Sequence, residues 1–125
     1  MTTKVFFFGS PNDTLAWEVA DRIGSLAGFE FIKSQNPDDI INLKDANGVI
    51  VIDSARGIME PKILSIESFS DRNIVTSHDL DVGLVLALMK KINRVDNIKV
   101  IGIPLKAKLT DGFAENVKRL LLGLK

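Results

Sequence analysis

The chain contains no cysteine, and His78 is its only histidine. Without cysteine there is no disulfide framework, no thiolate zinc site and no cysteine nucleophile. Any metal chemistry must therefore combine His78 with carboxylates, and any imidazole acid/base chemistry must use His78 alone. Charge of one sign is also missing. Sixteen basic and sixteen acidic side chains cancel, so no net field favours nucleic acid or an anionic membrane. No apolar run approaches the ~18 residues needed to span a bilayer. The few apolar residues after Lys4 are too short for a signal-peptide core. The expectation is a soluble cytoplasmic protein that binds neither membrane nor nucleic acid.

What is present suits a small folded unit. Hydrophobic residues make up 46% and charged residues 26%, the balance of a globular core rather than a disordered chain. A single domain over residues 1–125 is expected, long enough to bury most of its apolar surface. Val5-Phe6-Phe7-Phe8 is a compact run suited to a strand buried on both faces, closed by Gly9-Ser10-Pro11-Asn12-Asp13. From Thr14 the period becomes helical. Ala16, Val19, Ala20, Ile23 and Leu26 share a face, with Asn12 or Asp13 at the N-cap and Gly28 as the stop. Phe29 to Ile32 reads as a second strand, and Pro37 opens a short helix through Leu43.

Val49-Ile50-Val51-Ile52-Asp53 is the clearest buried strand, with loop from Ala55 to Pro61. Short strands are expected around Ile63 and Ile74, then an apolar helix over 82–89 closed by Lys90 and Lys91. Val100 to Ile103 is the last strand. Phe113, Val117, Leu120, Leu121 and Leu124 mark a C-terminal amphipathic helix. Alternating strands and helices predict a three-layer α/β/α sandwich with a mostly parallel sheet.

Ligands of such sheets bind beyond the carboxyl ends of the strands. Three polar clusters fall there: Gly9 to Asp13, Asp53 to Gly57 and Thr76 to Asp81. Asp13, Asp53 and His78 form a mixed oxygen and nitrogen set suited to a borderline divalent ion such as nickel or zinc. Each has a plainer reading. Asp13 suits a helix N-cap, Asp53 can satisfy backbone amides of its loop, and His78 can sit in a first helical turn capped by Thr76 or Ser77. Asp79 and Asp81 suit that same turn through the helix dipole. A serine–histidine hydrolase built on Ser77 or Ser54 is disfavoured, because sequence neighbours rarely face each other and no G-x-S-x-G elbow exists. A dinucleotide site is disfavoured because Gly9 stands without the rest of G-x-G-x-x-G. Trp17 falls one residue off the helical stripe, which points to partial burial against phenylalanines. Lys106 and Lys108 read as a solvated loop.

The order of these pieces resembles the nickel–iron hydrogenase maturation endopeptidases over nearly the whole chain, from Val5 to Leu124. Gly9-Ser10-Pro11-Asn12-Asp13-Thr14-Leu15-Ala16 is similar to a form of the family's G-N-x-L-x-x-D-D/E-G-x-G loop shortened by about three residues. Ile52-Asp53-Ser54 resembles its V-D-A strand end. Thr76-Ser77-His78-Asp79-Leu80 resembles T-x-H-D/Q opening a leucine-rich helix. Ile98 to Ile103 resembles the following V-x-F/V/L-I-G-I strand. Lys33 stands where the family has an acidic D-G-G/S element.

The resemblance implies the phosphorylase/hydrolase-like sandwich. It also implies an endopeptidase that removes the C-terminal extension of the hydrogenase large-subunit precursor after nickel insertion. Asp13, Asp53 and His78 would be the catalytic metal ligands, with Asn12 as the alternative match to Asp13. Nickel would come from the precursor, with zinc or another divalent ion able to substitute. A noncatalytic precursor-binding or assembly module on the same fold is the alternative.

Overall fold

The computed structural model describes residues 2–36, 38–41, 48–64, 75–76, 98–105 and 107–124. The elements run β1 (Thr3–Phe8), α1 (Leu15–Ile23), β2 (Phe29–Ser34), α2 (Asp38–Ile41), β3 (Val49–Arg56), β4 (Lys62–Leu64), β5 (Val75–Thr76), β6 (Ile98–Pro104) and α3 (Asp111–Gly123). The expected helix over 82–89, together with Ser77, His78, Asp79, Asp81 and Lys106, lies outside the described residues.

The sheet has six strands in the order β2-β1-β3-β6-β4, with β5 paired to β3 off this path. β1, β2, β3 and β6 run parallel, whereas β4 is antiparallel to β6 and β5 is antiparallel to β3. The three most apolar of the described strands, β1, β3 and β6, thus take the three central places. Strands flanked on both sides and covered on both faces need side chains that are apolar at every position.

Strand alternation divides the interior in two. Val5, Phe7, Ile50, Ile52, Ile101 and Ile103 face one way and meet Val19 of α1 with Val117 and Leu121 of α3. Phe7 takes Phe31 edge-on there, with ring centroids 4.9 Å apart. Phe6, Phe8, Val49, Val51, Ala55 and Val100 face the other way, with Ile40 of α2, Ile58 and Leu64. Helices therefore contribute to both faces, and the α/β sandwich with a mostly parallel sheet is the fold observed. None of the described helices is long and apolar enough to cross a membrane.

Three element boundaries differ from expectation. α1 stops at Ile23 because Gly24 takes a left-handed φ of 81° and its N–H bonds the Ala20 carbonyl; Gly28 belongs to the next turn. The α1 N-cap is Thr14, whose side chain makes no capping bond, so neither Asn12 nor Asp13 caps this helix. β3 continues through Arg56, where a loop from Ala55 was expected. Asp53 pairs with Gly102, Ser54 with Ile103 and Ala55 with Pro104, and this ladder outweighs the weak strand preference of those side chains.

Candidate functional site

β1 ends at Phe8 opposite Ser34 of β2, and its last partner on β3 is Ile52. β3 therefore runs on beyond its last residue paired with β1, from Asp53 onward. Further along that edge, β5 takes over the pairing at Ala55 and Arg56. The segment following β1 closes at once. Ser10 N–H bonds the Asp13 carbonyl at 2.9 Å and Asp13 N–H returns to Ser10 at 3.0 Å, with Pro11 and Asn12 as the turn.

Trp17 holds this turn to the sheet. Its Nε1–H donates to the carbonyls of Phe7 and Ser34, both at 3.1 Å. The indole lies so close to Gly9 that a Cβ there would come within 2.7 Å of a ring carbon. Gly9 N–H also bonds the Ser34 carbonyl, at 2.9 Å. Trp17 is half-buried as expected, but it works through its N–H on two strand ends as well as through packing.

Asp13 and β3 meet here. Ser54 Oγ–H donates to Asp13 Oδ2 at 2.6 Å, the short range of a bond from a hydroxyl to a carboxylate. Ser54 is completely buried, while Asp13 is half-exposed on the turn. Alternation puts Ser54 on the sheet face that carries α1, together with Ile50 and Ile52. It puts Asp53 on the other face, with Val51 and Ala55. Asp53 is also completely buried. A buried carboxylate is tolerated only with partners, and among the described residues no buried side-chain nitrogen or oxygen lacks one. Opposite Asp53, Gly102 leaves room that Leu64 and Ile58 fill: a Cβ at Gly102 would meet their terminal methyls at 2.8 and 3.0 Å.

Two members of the expected metal set, Asp13 and Asp53, thus lie at the carboxyl side of neighbouring strands, and His78 lies outside the described residues. Among the described residues no three histidine, aspartate or glutamate side chains form a metal-sized group. The donors expected here are two carboxylates and one imidazole, which suit a divalent nickel or zinc ion. Lys33, the charge reversal relative to the motif, pairs with Asp21 of α1 on the exposed surface. A groove of about 490 Å³ opens at the carboxyl end of β6, lined by Met59, Glu60, Pro61, Pro104, Phe113 and Arg119 among others. Sequence reasoning did not find the contacts of Ser54 or Trp17. For Ser54 the available signal was a hydroxyl where the V-D-A pattern has a methyl.

No protein-family model matches the chain, and no curated protein sequence does. A solved structure does: the NiFe hydrogenase maturation protease HybD from Thermococcus kodakarensis. It superposes with a TM-score of 0.63 over 96% of this chain and 99% of that one, at 16% sequence identity. At that identity the likeness is one of fold, and the chain has the fold of this maturation protease from end to end of the superposed length.

Proposed function

We propose that the protein is a hydrogenase maturation endopeptidase, which removes the C-terminal extension of the nickel–iron hydrogenase large-subunit precursor once nickel is in place. One observation carries the reading: the fold of a maturation protease across 96% of the chain, with motif-matched Asp13 and Asp53 toward the carboxyl ends of the adjacent strands β1 and β3. Pairing of Thr76 with Ala55, two residues past Asp53, supports counting His78 with them. Two residues of chain span at most about 7 Å.

In this reading nickel belongs to the substrate. Asp13, Asp53 and His78 complete its coordination and so fix the precursor with the scissile bond against the rim. Nickel supplies Lewis acidity, polarising the scissile carbonyl or activating a water. A noncatalytic precursor-binding module is the second reading. The observation favouring it is the short Asp13 loop, whose carboxylate is already engaged by Ser54.

The test is cleavage of nickel-loaded precursor, read as the mass of its C-terminus. Native protein should release one discrete C-terminal peptide, and only when nickel is present. His78→Ala and Asp53→Asn should each lower the rate by at least about 100-fold, the scale of losing a group that acts in the transition state. Intact precursor, shown to be cleavable by another endopeptidase, would refute catalysis and leave the binding module.

A further inference from the structure

We infer that Ser54 is a positioning residue for Asp13, an assignment that rests on the metal-site reading above. The first loop is about three residues shorter than the motif it resembles. A short loop has fewer backbone amides with which to orient a carboxylate, so Asp13 needs another donor. Ser54 provides it from the sheet: its hydroxyl reaches Asp13 Oδ2 at 2.6 Å, and complete burial shields that hydroxyl from competing water. The backbone beneath is fixed as well, because Ser54 lies within the β3–β6 ladder opposite Ile103.

The arrangement has a mechanical consequence. β3 presents Asp53 to one face and Ser54 to the other, so one rigid strand sets both carboxylates, Asp53 directly and Asp13 through Ser54. Engaging Oδ2 fixes the rotation of the Asp13 carboxylate and thereby the direction of its other oxygen. Groups that hold a metal-ligating side chain from behind typically contribute about 10–100-fold in metal affinity or activity.

The experiment is a double-mutant cycle on nickel(II) affinity, measured by calorimetry up to millimolar metal, with Ser54→Ala, Asp13→Ala and the double variant. Circular dichroism melts confirm folding of each. Ser54→Ala should weaken binding by about 10-fold in the native background and change nothing once Asp13 is alanine. An equal loss in both backgrounds would mean that Ser54 acts on structure generally, and the inference fails. Loss from Asp13→Ala but none from Ser54→Ala overturns the role of Ser54 while leaving the metal reading intact. If native protein binds and Asp13→Ala has no effect, Asp13 is not a metal ligand and this inference falls; if free nickel(II) does not bind because the metal comes with the precursor, the metal-free arm decides. That metal-free arm also covers the case in which Ser54→Ala does not fold. The buried Ser54 hydroxyl proton should appear in the NMR spectrum of the native protein in slow exchange and should shift in Asp13→Ala. Its absence, or indifference to Asp13, overturns the bond.

Discussion

Gly9 and Gly102 both lack a Cβ for a reason, but the two reasons differ in stiffness. At Gly9 an added methyl would meet three indole carbons of Trp17 at 2.7 to 2.9 Å. That ring is rigid and is pinned by two hydrogen bonds to strand ends, so it has nowhere to go. At Gly102 the nearest obstacles are terminal methyls of Leu64 and Ile58, with Leu64 Cγ behind them at 3.2 Å, flexible chain ends that give more readily than a pinned ring. Gly9→Ala should therefore destabilise by about 1–3 kcal/mol, the usual cost of overpacking, and Gly102→Ala by clearly less. Urea midpoints compare them, and Trp17 fluorescence should change in the first variant. Equal losses would show that the indole yields as readily as a methyl. This level was the least readable from sequence. Gly9 stood out as a loop and motif residue but not as a packing position, because its partner ring and the two carbonyls that hold it belong to separate elements. Asp13 suggested a helix cap by position, yet its carboxylate accepts from the hydroxyl of Ser54, 41 residues on.

Helix ends give a second contrast, between two threonines in the same nominal role. Thr110 Oγ1 accepts from the Phe113 amide at 3.1 Å at the start of α3, a complete side-chain cap. Thr14 precedes α1 with φ −95° and ψ 4°, and its hydroxyl bonds Glu18 in place of a backbone amide. Thr110→Ala should cost about 1 kcal/mol, whereas Thr14→Ala should stay within about 0.5 kcal/mol of the native protein. Thermal melts decide between them, and comparable losses would contradict the capping assignment. Element identity, unlike element ends, was largely readable. Val5 to Phe8 of β1 and Val49 to Ile52 of β3 are unbroken β-branched or aromatic runs, and the apolar stripe of α3 gave its buried face through Val117 and Leu121. The ends were not readable, because they are set by neighbours. Ser54 and Ala55 join β3 only because β6 offers Ile103 and Pro104 in register. Likewise α1 stops at the glycine that closes a bond to Ala20, four residues before the one that composition favoured.

One sheet separates the two interiors, and the proposed site draws on both, so its competence should follow the whole fold. Adjacent β1 residues test this: Phe7 is buried against α1 and α3, and Phe8 is buried on the opposite face. Each is completely buried. Truncation to alanine should cost about 3–5 kcal/mol on either side. If the sheet couples its faces, both variants unfold in a single transition, as small domains usually do. Trp17 fluorescence, which reports the α1 face, and far-ultraviolet dichroism should then give coincident curves in native protein, Phe7→Ala and Phe8→Ala alike. A variant in which Trp17 unfolds apart from the bulk would show the faces to be separable. Exposed ion pairs are not expected to contribute much to this coupling. Lys4–Glu30, Arg22–Asp111 and Lys33–Asp21 lie on the surface, where such pairs contribute about 0–1 kcal/mol. Raising salt should therefore leave the transitions coincident. With Asp53 anchored on one face and Ser54 with Asp13 on the other, loss of nickel binding should track the same midpoint. Binding lost well below that midpoint would place the metal ligands on a segment that opens independently of the sheet.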